Sequence, residues 1–150
     1  MTATPHPMQP DPERHAAFYD GVLSKRFLAW MLDLVLIVLL TALVVPFTAF
    51  TALFFLPALF LVIGFLYRWI TLSGRSATWG MRLLSIEFMD RQGRRFDGAT
   101  ALLHTLGYSV SMAFVLPQVA SVVLMLTSAR GQGLSDLVLG TIAINTPARP

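Results

Sequence analysis

Asp33 is a carboxylate in an apolar run, and it is the first residue of this sequence that could do chemistry. A charged group at the centre of a membrane helix costs about 2.5–3.5 kcal/mol on insertion scales, so it must be paired, protonated or facing water. Arg26 lies seven residues earlier, two helical turns less 20°, which puts both side chains on one face about 10.5 Å apart along the axis. A downward-reaching arginine or a bridging water could close that gap. Two readings stand side by side: a proton, cation or ligand site, and a polar clamp between helices. Asp136 poses the same problem in the stretch Gly131–Thr141. Its candidate partners are Arg82, Arg26 and Arg130, with a helix N-cap role for Ser135 or Asp136 as the plain alternative. Arg82 is the cation expected to meet Asp33 or Asp136.

A second set of polar residues follows a helical spacing. His104, Ser111 and Gln118 recur every seven residues, and Gly107 with Ser111 forms a small-xxx-small pair. The stripe is read either as a polar pathway facing Asp33 or as hydrogen bonding to a neighbouring helix, with His104 close to the basic loop. Gly74–Arg82 superficially suggests a phosphate loop, but no Gly-Lys-Ser/Thr closes it. Gly80 is read instead as a point of close backbone approach. There is no HExxH, GxSxG or pair of intramembrane carboxylates, so enzymatic chemistry is not expected. The chain contains no cysteine, which removes disulfides, thiolate nucleophiles and Cys-based metal sites. No metal or cofactor is expected.

The elements that must position these residues follow from composition. Of the 150 residues, 55% are hydrophobic and 13% charged, against roughly 25% charged in soluble domains. Phe27–Tyr67 contains one charged side chain, Asp33, and Gly98–Ala129 contains no Asp, Glu, Lys or Arg. The first block, about 60 Å long as helix, is enough for two crossings of a core about 30 Å thick. The expected fold is an all-α membrane protein: a small bundle of two full transmembrane helices, near 27–45 and 51–70, plus a third helical region. Pro57 should kink the second helix, and Gly64 should permit close packing. Pro117 should break the third region into 100–114 and 118–128. That region is too long for one upright crossing and too short for two, and a return to its starting side is favoured.

Lys25 and Arg26 precede the first helix, and six arginines lie between residues 68 and 95. The turn near Pro46 carries no basic residue, so the positive-inside rule places the amino terminus and the basic loop in the cytoplasm. The formal charge of +3 therefore points to the lipid surface, and nucleic acid is not an expected partner. Leu83–Met89 and Thr141–Asn145 read as strands that could pair, bringing Arg82 near Asp136. Residues 1–17, with four prolines, read as a disordered tail, and 147–150 as a short C-terminal tail. Phe18, Tyr19, Val22 and Leu23 fit an interfacial helix entering the membrane.

Lys25-Arg26-Phe27-Leu28-Ala29-Trp30 followed by Asp33 resembles the opening of the RDD family of small multi-pass bacterial membrane proteins. The family is named for an arginine at the start of its first transmembrane helix, an aspartate within that helix and a second aspartate. The resemblance places these roles on Arg26, Asp33 and Asp136. Thr78-Trp79-Gly80-Met81-Arg82, with Asp90 and Gly93, is similar to the family's Thr-x-Gly-Lys/Met-Arg loop and the turn after it. Leu134–Leu137 through Gly140-Thr141 is similar to its His-Asp-x-x-x-Gly-Thr ending. The likeness covers residues 18–146, with two departures: Ser135 stands where histidine is common, and His104 where arginine is common. It implies a bacterial inner-membrane location and a role in transporting, or assisting transport of, an unidentified ion or small ligand. The other function class is a non-catalytic scaffold or accessory subunit that binds a partner through its cytoplasmic loop. Expected partners are the lipid bilayer and either further copies of the chain or another membrane protein.

Overall fold

The computed structural model describes residues 9–147. Six helices and two strands run in the order α1 (Val22–Val44), α2 (Leu56–Arg75), α3 (Trp79–Leu83), β1 (Ile86–Met89), α4 (Gly98–Ala113), α5 (Val115–Thr127), α6 (Leu134–Leu139), β2 (Ile142–Asn145). The helices α1 and α2, with their flanking 3-10 turns, are long and apolar enough to cross a membrane. On α1 the buried residues are Val22, Ala29, Asp33, Ile37 and Thr41, a stripe at seven- and four-residue spacing that faces the bundle. The opposite face leaves Val35, Leu39 and Leu43 more than half exposed, as a lipid-facing surface requires. This is an all-α membrane protein carrying one small sheet.

The buried apolar residues concentrate at one end of the bundle. Leu72, Met81, Ile86, Phe88, Phe96, Ala101 and Ala143 belong to one cluster joining the ends of α2 and α4 to α3 and the sheet. The strands β1 and β2 pair antiparallel, with Ile86 opposite Asn145 and Phe88 opposite Ala143. Two strands alone are marginally stable. These two bury Ile86, Ile142, Ala143 and Ile144 completely, and that packing compensates for the missing neighbours. The pairing expected between 83–89 and 141–145 is therefore present in its central part.

Several local expectations need correction. Pro57 does not kink α2; it occupies the helix's first turn, where its missing N–H costs nothing. Residues 51–55 form a separate 3-10 turn. Gly64 does face α1, and a Cβ there would touch Ile37 at 3.7 Å. The third apolar region breaks at Phe114, three residues before Pro117, with a bend of 116° between α4 and α5. Pro117 again lies in a first helical turn, so it starts α5 and fixes the break upstream. The β2–β1 pairing brings the chain back beside the loop it left, so the two ends of the α4–α5 region lie at the same end of the molecule.

The tail also departs from expectation. Residues 1–8, which fall within the tail expected to be disordered, lie outside the described residues. Residues 9 and 10 are tied into the fold, with the Pro10 carbonyl accepting from the Tyr19 hydroxyl, while residues 13–17 are exposed. Gln9 is buried, donates to the Asp90 and Gly140 carbonyls and accepts from Arg130. The interfacial helix expected at 18–23 is instead a 3-10 turn at Ala16–Phe18. Gly21, at φ +65°, separates that turn from α1.

Candidate functional site

Asp33 is 1% exposed and lies in a cage made entirely of hydrogen-bond donors. Its Oδ1 accepts from the Tyr67 hydroxyl at 2.6 Å and from the Gly80 amide at 2.9 Å. Its Oδ2 accepts from the Thr78 hydroxyl at 2.6 Å. The Tyr67 oxygen in turn accepts from the Trp79 amide at 3.0 Å. These partners come from α2, the residue that caps α3 and the first turn of α3, so one carboxylate on α1 fixes the α2–α3 junction.

Gly80 makes that approach possible. A Cβ at residue 80 would clash with the Ala29 carbonyl oxygen and reach 2.9 Å from Asp33 Oδ1. The close approach expected of Gly80 is thus present, and it explains why Arg26 does not reach Asp33. The α3 backbone occupies the groove beside Ala29, between the two positions.

Arg26 turns to Asp136 instead. Its Nη2 lies 2.8 Å from Asp136 Oδ2, and its Nη1 donates to the Gly131 carbonyl at 2.8 Å. Asp136 Oδ1 contacts His104 Nε2 at 2.8 Å and accepts from the Thr141 hydroxyl at 2.9 Å. Asp136 Oδ2 also accepts from the Gly133 amide at 3.1 Å. Gly133, rather than Ser135 or Asp136, is the N-cap of α6, and Asp136 supports the cap from the third helical position while holding its ion pair. Burial penalises the Asp136 charge. The Arg26 cation, the His104 contact and the Gly133 amide nevertheless hold its pKa below the ordinary carboxylate value. Aromatic rings close the hub: Phe88 lies 5.3 Å from the Arg26 guanidinium carbon and 4.5 Å from the His104 ring.

The remaining sequence candidates divide. Arg82 meets neither carboxylate. It donates to the Ala77 and Thr71 carbonyls at 3.0 and 3.1 Å and lies over the Trp79 ring, tying α3 back to the end of α2. Arg130 binds Gln9 rather than Asp136. Ser111 donates to Gln118 at 3.0 Å across the break between α4 and α5, while His104 belongs to the Asp136 hub. The seven-residue stripe is therefore two separate structures, and neither faces Asp33. Sequence reasoning missed Tyr67, Thr78 and Thr141, whose hydroxyls complete the two carboxylate shells. A buried carboxylate requires donors, and Thr78 and Thr141 lie within two residues of Gly80 and Gly140, a proximity that could have pointed to them. Among the described residues no three His, Asp or Glu side chains converge as a metal site requires.

Two long apolar helices, a bent third apolar region and two buried aspartates tied to α1, one carried on it and one bound to its Arg26, define a small polytopic membrane protein. The RDD family model matches residues 21–140. The chain belongs to the RDD family, and Arg26, Asp33 and Asp136 lie within the matched region. Comparisons with curated proteins and with solved structures gave no match.

Proposed function

We propose that this protein is a non-catalytic membrane scaffold or accessory subunit, in which the arginine and two aspartates hold the fold. The observation that carries this reading is the Asp33 cage: three donors occupy a carboxylate that is 1% exposed. A cation site needs oxygen lone pairs free to face the ion and a polar route to reach them. Here three of the carboxylate's roughly four lone-pair positions are spent on Tyr67, Thr78 and Gly80, and reaching the remaining one on the buried Oδ2 would require α3 to leave α1. The basic flanks support an orientation with the amino terminus, the sheet and the 76–97 loop in the cytoplasm of a bacterial inner membrane. On this reading a partner protein binds at that loop.

The alternative to be tested is transport of a small cation or ligand, assisted by Asp33. Purified protein in liposomes should dissipate neither a sodium nor a proton gradient above protein-free vesicles. Asp33→Asn should then leave flux at that same baseline while lowering thermal stability. Gradient dissipation by the wild type, abolished in a stable Asp33→Asn protein, would replace the scaffold reading with transport.

A further inference from the structure

Three arginines from three different segments converge on a pocket of about 350 Å³ at the sheet end of the molecule: Arg75 in the last turn of α2, Arg82 in α3 and Arg95 before α4. Ile86, fully buried, and the exposed Ser85 also line it, and Glu87 is the one acidic group among its described lining residues. Neither carboxylate of the RDD motif takes part.

The Arg82 guanidinium is held in place before any ligand arrives. Its bonds to the Ala77 and Thr71 carbonyls use two of five donors, and the Trp79 ring lies 4.9 Å from its guanidinium carbon. Arg95 lies 3.6 Å from Glu87 and keeps 45% of its side chain exposed. Arg75 is exposed as well. Three cations against one carboxylate leave the lining with a surplus of two positive charges, an arrangement that repels itself and attracts an anion. Planar, multi-donor guanidinium groups match the oxygens of a phosphate better than a point charge does.

The position of the pocket suggests the source. Trp79 and Leu83, one turn apart on α3, are 54% and 73% exposed beside it. An exposed tryptophan beside basic residues at the end of a membrane helix is the pattern of the headgroup layer. We propose that the Arg75–Arg82–Arg95 pocket binds a phosphate ester, supplied by the headgroup of an acidic phospholipid. The inference does not rest on the scaffold reading, since a transporter could carry the same pocket.

The test uses the full chain in dodecyl maltoside, with three probes: phosphatidylglycerol, phosphatidylcholine and inorganic phosphate. Native mass spectrometry should show phosphatidylglycerol retained in preference to phosphatidylcholine. Each arginine near the headgroups contributes about fivefold to that preference, so Arg75→Gln with Arg95→Gln should lower it about 25-fold. Both side chains are exposed, so the double variant should keep the wild-type elution profile. If it does not fold, Arg75→Gln alone should lower the preference about fivefold. Displacement of phosphatidylglycerol by inorganic phosphate, with loss of phosphate binding in the variants, would support the site and assign it a soluble phosphate ester. Equal retention of the two lipids with no phosphate binding would overturn the proposal. So would wild-type preference in the folded variants.

Discussion

Asp136→Asn is the sharpest test of how the three family residues are wired. The wild-type carboxylate is fully buried and engages Arg26, His104, Thr141 and the Gly133 amide. An amide of the same shape keeps one acceptor oxygen and turns an NH2 group toward one pair of these groups. Arg26, whose side chain is 13% exposed, then keeps the Gly131 carbonyl but loses its counter-charge. Removing one partner of a buried pair costs about 3–5 kcal/mol, a large share of a typical stability of about 5–15 kcal/mol. Arg26→Gln removes the stranded cation, so the double variant Arg26→Gln/Asp136→Asn should be more stable than the sum of its parts by about 1–3 kcal/mol. Arg26→Gln combined with Asp33→Asn should instead be additive within about 0.5 kcal/mol, because the two residues share no partner. The assay is equilibrium unfolding of the single and double variants in one detergent. A larger coupling of Arg26 to Asp33 than to Asp136 would refute the wiring.

Asp33→Asn alone should cost about 1–3 kcal/mol, less than Asp136→Asn, since its partners are neutral donors and two of them can still bond the amide oxygen; unfolding of the two single variants ranks them. Gly80→Ala should cost about 1–3 kcal/mol or more through overpacking against the Ala29 carbonyl, seen as lower yield and lower Tm. The pH dependence follows from Asp136, whose folded pKa lies below the unfolded value of 3.8. Its stabilisation is complete above that value and is lost as pH falls through the lower folded pKa. The part of the stability gap between wild type and Asp136→Asn that comes from the Asp136 charge should therefore be complete above about pH 5 and be lost only in stronger acid, as parallel thermal scans below about pH 5 would show. Cysteines at residues 86 and 145 should crosslink more readily than a pair at 85 and 143, because Ile86 faces Asn145 in the register.

The apolar blocks and the paired strands were legible in the sequence because both depend on local pattern: charge-free length for the helices, alternation for the strands. The role of Gly80 was legible for a similar reason, as a small residue in a tight segment. The partner of Arg26 was not. Helical periodicity puts residues 26 and 33 on one face, but the competing acceptor comes from position 136, brought in only when α6 packs on α4. The break at Phe114 was misplaced because a proline suits the first turn of a helix as well as it interrupts one, so Pro117 marks a start rather than a stop. Gln9 was hidden by its neighbours, since a proline-rich segment does not announce that one amide within it will cross-link two carbonyls and an arginine.

The bend at Phe114 has a mechanical consequence for the lipid around the protein. As helices, α4 and α5 run about 24 Å and 20 Å, so neither alone spans a hydrocarbon core about 30 Å thick. With both turned back toward the sheet, the leaflet on that side accommodates sections of four helices while the far leaflet accommodates chiefly two. The molecule is thus a wedge, broad at its polar end and tapering toward the turn at Pro46.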